Sequence, residues 1–482
     1  MTWISPDPSP EPFAGPPAGY GVGMPIATTS PVTGEVLTTF DALTEEQIDR
    51  SIGRSVTGFR ELRGTTFAQR AGWMRAAADL LDAERDDVGA LMTREMGKTF
   101  TAAKAEAAKC AKACRFYADN AERFLADEPV EASDVDASAA YGRYQPLGPV
   151  LAVMPWNFPL WQAMRFAAPA LMAGNTGLLK HASNVPQTAL YLGDLFRRAG
   201  FPAGAFQTLL VGSDAVERIL GDPRVRAATL TGSEAAGRSI AAIAGRELKK
   251  TVLELGGSDP YIVMPTADVD RAAEVATTAR CQNNGQSCIA AKRFIVHADV
   301  YDAFVAAFVA RMAALTVGDP MDDATDVGPL ATEQGRDDVA GQVDDATAKG
   351  ATVRCGGAAP SRPGWWYPPT VVTGITPTMR MYGEEVFGPV AGVYRVGSVD
   401  EAIDLANATS FGLGANAWTA DAGERQRFVT ELEAGAVFVD GMVTSYPQLP
   451  FGGVKDSGYG RELSAAGIRE FCNLKTVWIG KP

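Results

Sequence analysis

The chain has few histidines and cysteines for its length. Its 482 residues include only 2 histidines, and none of its 6 cysteines stands in a Cys-x-x-Cys pair. Structural zinc needs a set of such ligands and a thiol hydrolase usually needs a histidine base, so neither is well supported. Cys110 and Cys114 lie one helical turn apart in an Ala-rich stretch, where small core side chains are a better interpretation than a metal pair. We predict no metal site and no disulfide framework.

The chain also lacks an excess of positive charge and a long apolar run. It has 44 basic and 57 acidic residues and a formal net charge of −13, which disfavours nucleic acid and anionic membranes as partners. No apolar run approaches the roughly 20 residues that span a bilayer, and residues 1–24 are rich in Pro and Gly without resembling a secretory signal. We therefore expect a cytoplasmic protein with a flexible N-terminal arm. An anionic substrate would need a local cation.

Apolar periodicity divides the rest of the chain into segments. Residues 45–127 repeat apolar positions at helical spacing, and residues 129–146 alternate as an extended excursion. From Val150 short apolar strands alternate with helices, and a second such series follows "LELGG", which predicts an α/β fold with parallel, doubly wound sheets. The C-terminal "KTVWIGKP" predicts a strand that pairs either with the excursion near Tyr141 or with another subunit.

Three positions carry chemistry on residue type alone. "TLTGSEAAGR" ends a strand and opens a helix, so Gly232 and Ser233 can meet a phosphate, although a purely structural turn is an equally good interpretation. Cys288 follows the turn in "QNNGQSC" and is a candidate nucleophile, although most isolated cysteines are inert. Glu254 ends a strand among apolar residues, which would raise its pKa and suit it to act as a base; a solvent-facing carboxylate is the commoner arrangement.

Six motifs resemble those of the aldehyde dehydrogenase superfamily, in matching order: "MPWNFP", "TGSEAAG", "LELGG", "NNGQSC", "EEVFGPV" and "PFGGVKDSGYGRE". The resemblance covers almost the whole chain from about Pro31. It implies two Rossmann-type doubly wound domains plus a β-structured oligomerisation flap, in a homodimer or homotetramer. The implied boundaries are a cofactor-binding domain at 25–127 and 148–254, a catalytic domain at 255–445, and oligomerisation segments at 128–147 and 460–482.

The same resemblance assigns catalytic roles. Cys288 would attack an aldehyde carbon, and the Asn157 side-chain amide with the Cys288 backbone N–H would stabilise the oxyanion. Loss of hydride to a nicotinamide would leave a thioester, which Glu254 would help to hydrolyse by activating water. Family members that transfer the acyl group to coenzyme A generally lack this glutamate, so its presence favours a free acid product.

The cofactor site is also assigned by resemblance. Lys180 matches the family's adenosine-ribose lysine, Glu385 and Phe387 match the nicotinamide-ribose clamp, and Trp156 and Ser233 occupy further cofactor positions. Ser183 stands where NAD-preferring relatives often carry a glutamate that would repel a 2′-phosphate. We therefore expect NADP as the cofactor, with NAD possible.

Substrate choice rests on a resemblance to the succinate-semialdehyde dehydrogenase branch. Arg165, the eighth residue after Asn157, stands where that branch holds the substrate carboxylate with an arginine, and Ser445 could donate a further hydrogen bond. Gln282 replaces a second arginine of the animal enzymes. Asp440 replaces a common asparagine and adds negative charge near the substrate side. We expect Cys281, which might reach Cys288, to be a core residue.

Three other functions stay open on the sequence. One is a dehydrogenase for ω-semialdehydes or aliphatic aldehydes in general. The second is a catalytically silent, cofactor-binding oligomer of the same fold, because a fold does not establish an activity. The third is a thiol hydrolase without nicotinamide. The joint presence of Cys288, Glu254 and Asn157 favours the dehydrogenase.

Overall fold

The computed structural model describes residues 26–481, so the arm predicted at 1–24 lies outside the described residues. The helices are α1 Glu45–Leu62, α2 Phe67–Ala83, α3 Arg85–Met96, α4 Phe100–Phe124, α5 Trp161–Ala173, α6 Pro186–Arg198, α7 Ala215–Gly221, α8 Glu234–Arg246, α9 Val269–Cys281, α10 Tyr301–Ala314, α11 Glu333–Ala348, α12 Arg380–Gly383, α13 Val399–Asn407, α14 Ala422–Glu431 and α15 Ser464–Glu470. Of these helices, none is long and apolar enough to cross a membrane.

Eighteen strands accompany these helices within residues 26–481. They are β1 Ile26–Thr29, β2 Val36–Phe40, β3 Glu128–Val130, β4 Ala139–Pro146, β5 Pro149–Met154, β6 Thr176–His181, β7 Phe206–Thr208, β8 Ala227–Thr231, β9 Lys250–Glu254, β10 Pro260–Val263, β11 Arg293–His297, β12 Thr352–Cys355, β13 Thr370–Thr373, β14 Val390–Val396, β15 Gly414–Trp418, β16 Ala436–Val439, β17 Gly458–Tyr459 and β18 Cys472–Ile479.

Two large sheets form the body of the molecule. The first has the strand order β17-β9-β8-β5-β6-β7, parallel except for β17, and the second has the order β12-β13-β14-β11-β10-β15-β16, parallel except for β12. Apolar runs without alternation form the central strands because both faces of such a sheet are covered. In β5, for example, every residue except Val153 is buried. The two predicted α/β series therefore correspond to two sheets.

The predicted helical layer packs beside the first sheet. Helix α1 begins at a capping box in which Thr44 and Gln47 satisfy each other's backbone N–H groups. Helix α4 buries a stripe of mostly small residues that includes Cys110 and Cys114, and both thiols are completely enclosed in the core. The interpretation of this cysteine pair as core residues is thus confirmed.

A third, three-stranded sheet has the order β18-β4-β3. Its strand β18 pairs antiparallel with β4, and Val477 lies opposite Tyr141, as the C-terminal segment predicted. Several large apolar side chains of this sheet are exposed, among them Val130, Leu474, Trp478 and Ile479. The domain boundaries and the oligomerisation role of this sheet stay predictions.

Candidate active site

The carboxyl ends of four neighbouring parallel strands carry most of the predicted site. Trp156 and Asn157 follow β5, Lys180 lies at the end of β6, Gly232 follows β8, and Glu254 ends β9. The chain order reverses between β5 and β8, because β6 and β7 extend the sheet on one side of β5, and β8 and β9 on the other. Such a topological switch point opens a crevice where doubly wound sheets bind nucleotides.

Cys288 is presented by an unusual turn after α9. Asn283, Asn284 and Gly285 follow one another with φ of 54°, 57° and 75°, a left-handed stretch that Asn and Gly tolerate best. The Asn284 amide donates to the carbonyls of Gly97 and Pro329 at 2.8 and 2.9 Å, and its oxygen accepts from a backbone N–H. A side chain at position 285 would clash with the backbone at Gly388, because an added Cβ would lie 2.4 Å from its carbonyl carbon.

This turn separates two cavities. One, of about 230 Å³, is lined by Cys288 together with Arg165, Ser445 and the preceding Ser287. The other, of about 450 Å³, is lined by three predicted cofactor residues, Trp156, Glu385 and Phe387, and by Gln286. Because Gln286 and Ser287 are consecutive, the nucleophile lies where a substrate in the first cavity can meet a cofactor in the second.

The cavity environment holds the Cys288 thiol in its neutral form. Its pKa is raised to about 12, mainly by burial; the cations Arg165 and Lys292 oppose that shift, and the carboxylates of Glu385 and Glu254 add to it. A thiol with this pKa has little thiolate at neutral pH in the free protein.

Lys292 links the nucleophile to the cofactor cavity. Its ammonium donates to the carbonyls of Ser287 and Cys288 at 2.9 and 2.7 Å and pairs with Glu385 at 3.0 Å. It thereby fixes the backbone on both sides of the thiol. The sequence did not single out this residue.

Asn157 lies against the turn that carries Cys288. Its side chain is buried, and its Nδ2 donates to the backbone carbonyl of Gln286 at 3.2 Å. The backbone carbonyl of Asn157 accepts from Asn283 Nδ2 at 2.8 Å. An amide nitrogen carries two N–H bonds, so one donor stays available for an oxyanion. The Gln162 amide, 3.4 Å from Asn157 Oδ1, holds the oxygen on the opposite side.

Glu254 is buried behind the cavity and does not line it. Neither carboxylate oxygen has a hydrogen-bond partner among the described residues. Burial and the neighbouring Glu462 raise its pKa well above the ordinary value, and Arg165 and Arg461 oppose the shift. Gly452, in "PFGG", makes room for this carboxylate, because an added Cβ there would lie 2.8 Å from Oε1. A carboxyl group in this setting is a stronger base than one in water.

Arg165 and Ser445 lie together on the cavity, but Arg165 already has an anionic partner. Its Nε is 2.7 Å from Glu462 in a fully buried ion pair, which the sequence did not reveal. Its Nη2 has no hydrogen-bond partner within residues 26–481, so a donor is left for a ligand. Ser445 Oγ accepts from Lys109 and Trp161 at 2.9 Å each, which leaves its O–H free to donate.

Gln282 and Asp440, two positions where the sequence departs from the family pattern, lie in different parts of the structure. Gln282 lines the cavity, whereas Asp440 does not; it pairs with Arg425 at 3.3 Å on the surface. The expected effect of the Asp440 charge on the substrate side stays a prediction, and Arg425 offsets part of that charge. Cys281 is buried with its sulfur 3.5 Å from that of Met312, which confirms its core role.

The remaining cofactor residues lie along the sheet edge outside the larger cavity. Ser233 caps α8 by accepting from Ala236 N–H at 3.3 Å, so the helix N-terminus opens beside Gly232. Lys180 is partly buried, burial lowers its pKa, and it forms no ion pair with the described part of the chain. An unpaired cation and a helix N-terminus at one sheet edge fit a dinucleotide phosphate.

Trp156, which follows β5 in the middle of this edge, meets Phe387, which precedes β14 of the second sheet. Their rings meet edge to face with centroids 5.8 Å apart, and the carboxylate of Glu385 accepts from the Gly257 N–H at 3.2 Å. Burial raises the pKa of Glu385, and Lys292 counters that shift. The Glu385 carboxylate can accept hydrogen bonds from the hydroxyls of a ribose, and the two aromatic rings can pack against the planar ring attached to that ribose. The described residues therefore fit a nicotinamide dinucleotide along the whole edge.

Comparison with known proteins decides the family. The aldehyde dehydrogenase family model matches residues 21–477. The chain belongs to the aldehyde dehydrogenase family. This confirms the resemblance of the six motifs, and with it the α/β fold of two Rossmann-type units.

Individual members of this family match over nearly the whole chain. A Mycobacterium tuberculosis protein named succinate-semialdehyde dehydrogenase [NADP(+)] 1 is 69% identical over 456 residues, which cover 95% of this chain and 100% of that one. The crystal structure of a Streptococcus pyogenes succinic semialdehyde dehydrogenase in complex with NADP+ matches with a TM-score of 0.91 at 39% identity, over 94% and 100% of the two chains. A Sinorhizobium meliloti NAD-dependent aldehyde dehydrogenase has the same TM-score at 31% identity, over 95% and 92%.

Proposed function

We propose that this aldehyde dehydrogenase oxidises succinate semialdehyde to succinate with NADP. The observation that carries the proposal is the cavity, which places the Cys288 thiol together with the Arg165 cation and the Ser445 hydroxyl. A thiol suits the aldehyde end of the substrate, and a guanidinium and a hydroxyl suit its carboxylate end. The names of the tuberculosis and streptococcal relatives support the same substrate and cofactor.

The first half of the reaction oxidises the aldehyde. The Cys288 thiol gives up its proton to solvent as its sulfur bonds to the aldehyde carbon. The carbonyl electron pair moves to the oxygen, and this oxyanion accepts from Asn157 Nδ2 and the Cys288 N–H. A nicotinamide held in the larger cavity by Trp156, Glu385 and Phe387 would supply the hydride acceptor. Loss of a hydride from the thiohemiacetal carbon would restore the carbonyl and leave a thioester on Cys288.

The second half hydrolyses the thioester. The Glu254 carboxylate takes a proton from water, whose oxygen bonds to the thioester carbon as the bond to sulfur breaks. Protonated Glu254 then returns its proton to the Cys288 thiolate, and the acid product loses its own proton to solvent and leaves as a carboxylate. Glu254 suits this step because it has no hydrogen-bond partner among the described residues and its raised pKa makes it a strong base.

Removing the Asn157 amide should slow hydride transfer without weakening cofactor binding. We expect Asn157→Ala to lower kcat about 10²- to 10³-fold, because the developing oxyanion loses a preorganised donor. Stopped-flow absorbance of NADPH formation measures the step, and fluorescence titration measures NADP affinity. A normal rate with weakened NADP binding would contradict the oxyanion role and make Asn157 a cofactor residue.

NADP rather than NAD is the proposed cofactor because of the turn after β6. The backbone carbonyl of Ser183 accepts from the Ala27 N–H at 3.0 Å, which holds the turn in place. The Ser183 side chain carries no charge that would repel a 2′-phosphate close to Lys180. The fold alone does not decide, since the NAD-dependent Sinorhizobium neighbour matches as well as the NADP-bound one.

Introducing a carboxylate at position 183 should reverse the cofactor preference. We expect Ser183→Glu to lower kcat/KM for NADP at least about tenfold, through repulsion of the phosphate, while NAD is still used. Ser183→Gln is the matched control, because it has nearly the same size without the charge. Equal losses in the two variants, measured with both cofactors, would mean that size and not charge matters at this position.

The proposed activity is tested by a steady-state matrix of three aldehydes and two cofactors. Succinate semialdehyde, glutarate semialdehyde and butanal are each measured with NADP and with NAD. The highest kcat/KM is expected for succinate semialdehyde with NADP. Equal use of butanal would favour a general aliphatic aldehyde dehydrogenase, and reduction of neither cofactor would overturn the proposal. A homodimer or homotetramer and a cytoplasmic location stay predictions from the sequence.

A further inference from the structure

Lys109 is a partly buried cation on the substrate cavity that the proposed reaction has not used. It projects from α4 into the lining of the cavity that holds Cys288. Its Nζ donates to Ser445 Oγ at 2.9 Å and lies 4.3 Å from the centre of the Trp161 ring. It therefore contacts the same hydroxyl that faces the proposed carboxylate subsite.

No carboxylate within the described residues neutralises Lys109, since none comes within ion-pair distance of its ammonium. The nearest candidate on its own helix is Glu106, which is fully engaged elsewhere: it pairs with the buried Lys98 and accepts the backbone N–H groups of Leu160 and Trp161 at the start of α5. A partly buried ammonium loses some of its hydration and gains no counter-charge here, so an anionic ligand would offset that cost.

Arg165, the other cation of this cavity, is in the opposite situation. Its charge is already offset by Glu462 at 2.7 Å. Lys109 is therefore the cation of this cavity whose charge is left for a ligand. Gln282, which stands in place of a second arginine, lines the same cavity but carries no charge.

We propose that Lys109 is a specificity-determining residue that pairs with the terminal carboxylate of the substrate, with the Ser445 hydroxyl donating to the same group. The inference rests on the proposed function, because it concerns the carboxylate end of that substrate. Lys109 selects between aldehydes and takes no part in the chemistry at Cys288. Its loss should consequently change KM for carboxylated aldehydes more than kcat.

Substitutions that remove or keep the charge test this role. Lys109→Met keeps an unbranched side chain against Trp161, and Lys109→Arg keeps the cation. We expect Lys109→Met to lower the ratio of kcat/KM for succinate semialdehyde to that for butanal about tenfold or more, mainly through KM, and Lys109→Arg to restore most of it. Lys112→Met, at an exposed position of the same helix, should leave the ratio at the wild-type value.

A second readout is the pH dependence of the same ratio. Burial, followed by repulsion from Arg165 and Lys98, lowers the pKa of Lys109 to about 8, while Glu106 and the Cys110 thiol on its own helix act in the opposite direction. The ammonium is charged below its pKa, so the ratio should be high near pH 7 and fall as the pH rises above about 8. Ionisation of Cys288 and Glu254 affects both aldehydes and cancels in the ratio. Lys109→Met should abolish this dependence.

The outcomes separate this inference from the proposed function. If the wild type oxidises neither aldehyde or prefers butanal, the proposed function itself fails. If the wild type prefers succinate semialdehyde and Lys109→Met keeps that preference, or slows both aldehydes equally, the function stands and the role of Lys109 is overturned. NADP binding and thermal melting at wild-type values identify a folded variant, and Lys109→Gln replaces Lys109→Met if the latter melts early.

Discussion

Cys288→Ala is expected to lower NADP reduction by a factor on the order of 10⁴ or more while NADP still binds. The sulfur forms the only covalent bond between enzyme and substrate in the proposed reaction, so no hydride donor arises without it. The side chain lines the substrate cavity and is not among the residues that line the cofactor cavity, so its loss should leave cofactor binding intact. Steady-state absorbance at substrate saturation measures the loss, and fluorescence titration measures the retained cofactor affinity.

Cys472→Ala is the matched control for this substitution. Its thiol is also partly exposed, and burial likewise raises its pKa to about 12, but it lies in β18 outside the cavity that holds Cys288. Wild-type turnover in Cys472→Ala would show that position, not thiol chemistry as such, makes Cys288 the nucleophile. Residual activity above about one per cent in Cys288→Ala would rule out a covalent route through this sulfur.

The pH dependence of alkylation tests the environment of Cys288 independently. Because burial raises its pKa to about 12, the thiolate fraction in the free protein should increase about tenfold per pH unit over the accessible range. The rate of modification by iodoacetamide should therefore rise without a plateau up to about pH 10. A plateau near neutral pH would indicate a thiolate stabilised before the cofactor binds.

Much of this architecture could be predicted because it depends on local pattern. Alternating apolar strands and helices specify a doubly wound sheet, and the carboxyl ends of its strands are bound to meet at one edge. Glu254, Lys180 and Gly232 could therefore be placed near one another without a structure. The pairing of β18 with the Tyr141 excursion was also accessible, because two β-rich segments needed partners.

The missed residues depend on contacts between distant segments. Arg165 and Glu462 form their buried pair only after α5 and the loop before α15 pack together, and no periodicity connects them. Lys109 did leave a signal: it lies one turn after Glu106 and one turn before Ala113 on the buried stripe of α4. A lysine at the border of an otherwise enclosed face is unusual enough to mark a candidate ligand.

A buried cluster of charged groups next to the cavity explains why the chemistry of the site is not evident from one residue at a time. Glu254, Glu462 and Arg165 form a buried group of two carboxyl groups and one guanidinium: Glu462 raises the pKa of Glu254, and Arg165 lowers the pKa of both carboxyl groups. Removal of the arginine would leave two buried carboxyl groups without a cation, and both would become harder to ionise. In the proposed reaction Arg165 would therefore act on the base Glu254 as well as on the substrate, which no single motif reveals.

Glu254→Gln is expected to give one rapid equivalent of NADPH followed by turnover slowed about 10²- to 10⁴-fold. The amide cannot take a proton from water, so hydrolysis is impaired while the attack of Cys288 and hydride departure still occur. The thioester should accumulate. Stopped-flow absorbance measures the burst, and intact mass spectrometry after rapid acid quenching detects the acyl group on the protein. Cys288→Ala should show neither burst nor adduct.

The sign of the pH effect makes this test sharper. Burial and Glu462 raise the pKa of Glu254, and the base acts only when deprotonated, so the wild-type hydrolysis rate should increase with pH from above the ordinary glutamate value of about 4.3 until it levels off. Glu254→Gln removes that ionisation, so its residual rate should lack this rise. If Glu254→Gln lost the burst as well, the carboxylate would be required before the thioester forms, and it would be the base for the Cys288 thiol instead of for water.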